Sequence, residues 1–201
     1  MKSLLAILFL AAVLFGAWWL FFKTDDAHES APKQESIPLG KHTPAFNQSI
    51  SNSVNSYLDM KSAFVDADTF KVKSEAQKFI GMMNSVKLDD LQKEDSQIVM
   101  AAQQEISDIK ANAQAILMEN DITEMRQDFR MVSENLYPFL RTIGYEGEKL
   151  YWQNCPMAFG EGKEGNWLSD TKEIINPYLG KHDPQYKASM LNCGEIKDTI
   201  K

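Results

Sequence analysis

The sequence predicts a mainly α-helical protein: an antiparallel four-helix bundle with a C-terminal, two-stranded, loop-rich cap that carries two cysteines. Three observations predict it. Apolar residues recur at steps of three and four through four consecutive segments between Phe46 and Ile143, that period is lost after Gly144, and the chain's only two cysteines, Cys155 and Cys193, both lie beyond the loss.

The first apolar stripe runs through Phe46, Ile50, Val54, Tyr57, Leu58, Phe64 and Val65, and Asp66-Ala67-Asp68 interrupts it. After an Asp68 cap the second runs through Val72, Ala76, Phe79, Ile80, Met83 and Val86 and ends near Lys87 to Asp90. Ile98, Ala102, Ile106, Ile109, Ala113, Ile116 and Leu117 form a third, with Asp95 or Ser96 as its cap. The fourth runs from Ile122 to Ile143 behind an Asp121 cap with Glu124 three residues on, and Pro138 predicts a kink or a stop in it. Four such segments cannot bury their stripes alone, and a bundle is the economical solution. Met60, Met82, Met83, Met100, Met118, Met125 and Met131 lie in these helices. Ordinary packing accounts for most of them, with Met82 and Met83 on different faces.

Beyond Gly144, Leu150-Tyr151-Trp152-Gln153 and Glu195 to Ile200 have strand character. Paired antiparallel, they bring Cys155 beside Cys193. The intervening loop is rich in glycine and proline, with at most one short helical turn at Asp170 to Ile175, and a loop this long inside a domain is functional or cross-linked.

At the other end, Leu4 to Phe22 is an uncharged run behind Lys2 that reaches about 28 Å as a helix, close to a bilayer core. Residues 1–23 are expected to be an N-terminal transmembrane anchor, favoured over a cleaved signal peptide because no cleavage site has small residues at both required positions. Trp18, Trp19, Phe21 and Phe22 would form its interfacial belt. Residues 24–45 have linker composition, with Pro32, Pro38, Pro44, His28 and His42, and the histidines read as solvated. Residues 46–201 are then the exported domain. The net charge of −7 and pI near 5.0 exclude nucleic acid as an expected partner.

Cys155-Pro156-Met157-Ala158, Asn166-Trp167-Leu168-Ser169, Asn176-Pro177-Tyr178, Gly180, Met190 and Cys193-Gly194 resemble the signature of a family of uncharacterised bacterial exported domains. Such domains occur alone or fused to periplasmic adaptor subunits of heavy-metal efflux pumps. The chain departs by carrying Lys181 to Ser189 between the Gly180 and Met190 elements, where a shorter stretch is expected. Together with the Leu4 to Phe22 run, the resemblance implies a single-pass protein of the bacterial inner membrane with its domain in the periplasm, or a periplasmic one if that run is cleaved, with a metal-efflux complex or a copper-handling protein as partner. The family's C-P-M and M-x-x-C-G elements fall here on Cys155, Met157, Met190 and Cys193, the candidate metal ligands.

Two thiolates and two thioethers are soft donors that suit Cu(I) better than zinc. His182 could add an imidazole, and Trp167 could lie over the ion, although a solvated histidine and a hydrophobic plug are the plainer readings. The cysteines in an exported chain have three states open to them: a permanent disulfide, a reduced metal-binding pair, or a switch between the two. In the disulfide reading the protein is a non-catalytic interaction module with Phe159, Trp167 and Tyr178 as its contact surface. No enzyme is expected, because there is no C-x-x-C pair, no nucleophile triad and no histidine placed as a base.

Overall fold

The computed structural model describes residues 41–93 and 96–201. The expected anchor at 1–23, most of the linker and the capping role of Asp95 lie outside these residues. Among the described residues no helix is long and apolar enough to cross a membrane.

Four helices follow one another: α1 (Pro44–Val65), α2 (Thr69–Ser85), α3 (Ser96–Met118) and α4 (Ile122–Thr142), with a 3₁₀ turn at Leu88–Lys93 between α2 and α3. Each packs on the next, as short connections between amphipathic helices require. The bundle closes through aromatic rings, with Phe129 of α4 stacked on Tyr57 at 5.2 Å and against Phe64 at 4.6 Å between ring centroids. Asp68 and Asp121 cap α2 and α4 as expected: Asp68 accepts from the Lys71 N–H, and Asp121 from the N–H groups of Thr123 and Glu124.

The structure refines four expectations. The first helix begins at Pro44, two residues ahead of the Phe46 that opens its apolar stripe, behind a Thr43 cap. His42 is not a free linker imidazole: its ring lies 4.6 Å from that of Phe46, and its Nε2 donates to the Ile143 carbonyl at 2.6 Å, clipping the chain entry to the end of α4. Pro138 does not stop α4, which runs on to Thr142, because Phe139 and Leu140 beyond it are fully buried and hold the last turn in place. Of the helical methionines only Met60, Met83 and Met125 are core; Met82, Met100, Met118 and Met131 are exposed.

After α4 come β1 (Leu150–Cys155), β2 (Gly165–Ser169) and β3 (Glu195–Ile200). They form one antiparallel sheet in the order β2-β1-β3, so the cap has three strands where two were expected. β1 and β3 pair as the sequence predicts, from Leu150 opposite Ile200 to Asn154 opposite Glu195. The register shifts between Trp152 and Gln153, which leaves Lys197 as an extra residue of β3. A bulge, with Glu195 and Lys197 exposed beside it, makes β3 a poor template for another strand. The chain from Asp170 to Ile175, where at most one short helical turn was expected, is irregular.

Asp128, on the α4 surface, has its pKa raised by desolvation and by the carboxylates of Glu119 and Glu124. A raised carboxyl pKa means that ionisation costs the folded state, a cost present at neutral pH and lost as the pH falls through the folded value. Asp128→Asn is therefore expected to stabilise the protein at pH 7 by ~0.5 kcal/mol, the scale of a like-charge pair four residues apart on a helix. Thermal melts from pH 7 downward check it. The advantage should vanish below the ordinary aspartate value of 3.8.

Candidate functional site

The cap joins the bundle through buried polar groups, which must find partners because an unpaired one costs about 1–3 kcal/mol. Tyr57 is fully buried and accepts from the Leu168 N–H at 3.1 Å. The Ser133 hydroxyl donates to the Phe129 carbonyl, so in the 2.7 Å Tyr57–Ser133 contact it is Tyr57 that donates. Burial raises the Tyr57 pKa, which keeps that proton in place. Lys61, also buried, donates to Ser169 Oγ at 3.2 Å and lies 3.8 Å from the Asp170 carboxylate. Burial pulls its pKa down, and Asp170 opposes the shift.

Arg126 of α4 is the third such group. Its Nε donates to the Pro177 carbonyl at 3.2 Å, a terminal nitrogen reaches the Phe64 carbonyl at 3.5 Å, and the buried Asp183 lies 4.0 Å away. Asp183 in turn accepts from the backbone N–H groups of Gln185 and Tyr186, while the Lys181 N–H donates to the Val65 carbonyl. The extra stretch Lys181 to Ser189 is thereby docked on the ends of α1 and α4. Replacing Arg126 by methionine keeps the volume and strands Asp183 and the carbonyls. The expected loss is about 3 kcal/mol, the cost of breaking a buried pair from one side, read as a lower denaturant midpoint at unchanged slope.

Cys155 ends β1 opposite Gly165, and Cys193 stands in the turn that leads into β3. The two form a disulfide with α carbons 5.7 Å apart, within the range that a disulfide requires. Cys155 is fully buried and Cys193 half-buried. The turn is held by Asn176, which is fully buried. Its side-chain N–H donates to the Cys193 carbonyl at 2.9 Å, its Oδ1 accepts from the N–H groups of Tyr178 and Leu179, and its own N–H donates to the Leu191 carbonyl at 2.8 Å. One asparagine thus joins both arms of the loop that the disulfide closes.

Two glycines are required here. Gly194 has φ +146°, and a Cβ on it would meet the Asn154 carbonyl oxygen at 2.7 Å and Trp167 at 3.0 Å. At Gly165 a Cβ would meet both Ala158 and the Tyr178 ring at 2.8 Å.

Met157 and Met190 are half-buried and pack against the same apolar cluster as Cys155 and Cys193. His182 is exposed. Among the described residues no group of three or more His, Cys, Asp or Glu side chains is placed to hold a metal ion. Trp167 is fully buried edge-on to Tyr178 at 5.9 Å, and Tyr178 also packs on Phe129 and Phe159. Trp167 and Tyr178 therefore belong to the core and are not a contact surface; of the three aromatics expected there, only Phe159 is half-buried. Among the described residues the large apolar side chains left most exposed are on the helices, at Phe70, Met118 and Met100. Lys61 and Arg126 went unnoticed in the sequence, and Asn176 entered only as part of the Asn176-Pro177-Tyr178 element, with no role of its own.

Residues 54–147 match the model of a family described as a protein of unknown function (DUF3347). The match covers less than half of the chain, from within α1 to just beyond α4, and stops before β1. No curated protein matches, and no solved structure does.

Proposed function

We propose that this protein is an exported, non-catalytic interaction module whose C-terminal cap is locked by a structural disulfide. The observation that carries the reading is the Cys155–Cys193 pair itself, with one sulfur-bearing residue fully buried and the Asn176 network closed around the other. Such a bond persists in an oxidising compartment, which agrees with export behind the Leu4 to Phe22 run and an inner-membrane anchor. The partner surface lies on the helices and the half-buried rim of the cap, since Trp167 and Tyr178 are occupied in the core.

A second reading is soft-metal handling in connection with efflux, with Cu(I) held by Cys155, Met157, Met190 and Cys193 after reduction. It is supported by the two cysteine α carbons lying 5.7 Å apart, close enough for both sulfurs to share one ion once reduced, and by the softness of the four donors. The thiolates that would bind copper are the sulfurs joined in the disulfide, so the two readings exclude one another in any single molecule. The full chain, alkylated during isolation from the compartment where it acts, should give a mass lacking two hydrogens, no thiol adduct and no copper by elemental analysis. Recovery with both cysteines alkylated, or with stoichiometric copper that is lost in the double serine variant, would replace the first reading by the second.

A further inference from the structure

The two sulfurs of this disulfide are not equivalent, and the difference decides how the bond can be opened. Thiol–disulfide exchange is an in-line displacement: the attacking thiolate approaches one sulfur from the side opposite its partner, and the partner leaves as a thiolate. An attack on Cys155 has to come through the protein, because Cys155 is fully buried at the end of β1 among the residues of the apolar core. Cys193 is half-buried, with the exposed Asn192 before it and the exposed Glu195 two residues after it. Its support is also a turn and not a paired strand. Cys193 is held by a backbone bond to the Met190 carbonyl and by the Asn176 side chain, whereas Cys155 belongs to the paired strands β1 and β2.

We propose that Cys193 is a thiol-exchange site, at which a dithiol reductant enters and forms a mixed disulfide, with Cys155 as the buried leaving group. The reductant's first thiolate bonds to the Cys193 sulfur, the Cys155–Cys193 bond breaks, and Cys155 departs with the electron pair and takes a proton from solvent. The reductant's second thiolate then displaces Cys193 as a thiolate, leaving an oxidised reductant and two protein thiols. Leaving-group chemistry alone favours the opposite direction, since a thiolate expelled at the half-buried Cys193 is better solvated than one expelled into the core. Access outweighs it, because without a line of approach there is no displacement at all. The inference concerns the chemistry of the bond and stands whether the cap serves a protein partner or copper.

The test uses the full oxidised chain without denaturant, briefly exposed to 2-mercaptoethanol and quenched in acid with an alkylating agent. Cleavage after lysine places Cys155 in the peptide 150–163 and Cys193 in the peptide 188–197. The mercaptoethanol adduct is expected on 188–197 at least tenfold over 150–163, with the alkyl group on Cys155. An even split, an excess on 150–163, or no adduct until denaturant is added would each overturn the proposal. As a second arm, free Cys193 in Cys155→Ser should react with an aromatic disulfide at least tenfold faster than free Cys155 in Cys193→Ser. Comparable rates would count against it.

Discussion

A chain ended after Gly147, just past the helices and the family match, is expected to lose its cooperative fold. All four helices would still be encoded, but Leu168, Trp167, Tyr178 and Leu179 are nearly or fully buried and would be missing. At about 1.5–3 kcal/mol for each buried side chain of this size, their loss removes on the order of 10 kcal/mol, comparable to the entire stability of a typical domain. The sides of Tyr57 and Phe129 that meet the cap would be opened to water. Lys61 and Arg126 would regain solvent, so their charges are not the cause of the failure; the exposed apolar area is. Circular dichroism should show residual helix, with a broad melt and binding of a hydrophobic dye. A sharp transition within a few degrees of that of the full chain would show that the helices are an independent domain.

Replacing both cysteines by alanine is expected to cost about 4 kcal/mol, the chain-entropy value for a closed loop of this size. The effect should be largest in the loop itself. Hydrogen exchange at the amides that Asn176 organises, those of Tyr178, Leu179 and Leu191's partner Asn176, should accelerate more than exchange in α3, which the cap does not touch in its main contacts. The denaturant midpoint and an exchange profile measure the two parts separately. A loss below about 1 kcal/mol would mean that the Asn176 network and the β1–β3 ladder hold the loop without help, and that the disulfide is not the lock.

The helices were legible because their signal is local. A period of three and four in apolar residues, closed by Asp68 and Asp121, specifies a buried stripe and its start within each segment. The β1–β3 pairing and the nearness of Cys155 to Cys193 were legible for a related reason: two short strand-like runs at the ends of one loop have few ways to pair. β2 was not legible. Gly165-Asn166-Trp167-Leu168-Ser169 is only five residues, and Trp167 and Leu168 are adjacent and both buried, so no alternation marks it as a strand. At Pro138 the local rule allowed a kink or a stop, and the stop did not follow because the packing of Phe139 and Leu140 carries the helix past it.

Local pattern was enough for the four helices, the Asp68 and Asp121 caps, the loss of helix after Gly144 and the one pair of sulfurs that could meet. Long-range packing was needed to turn Trp167 and Tyr178 inward, to complete the sheet with β2, and to bury Lys61, Arg126 and Asn176. The physical reason is range. A helix stripe is written in neighbours three or four residues apart, whereas a buried polar side chain is acceptable only when a partner waits for it, and these partners stand far off in sequence: Ser169 for Lys61, Pro177 for Arg126 and Cys193 for Asn176.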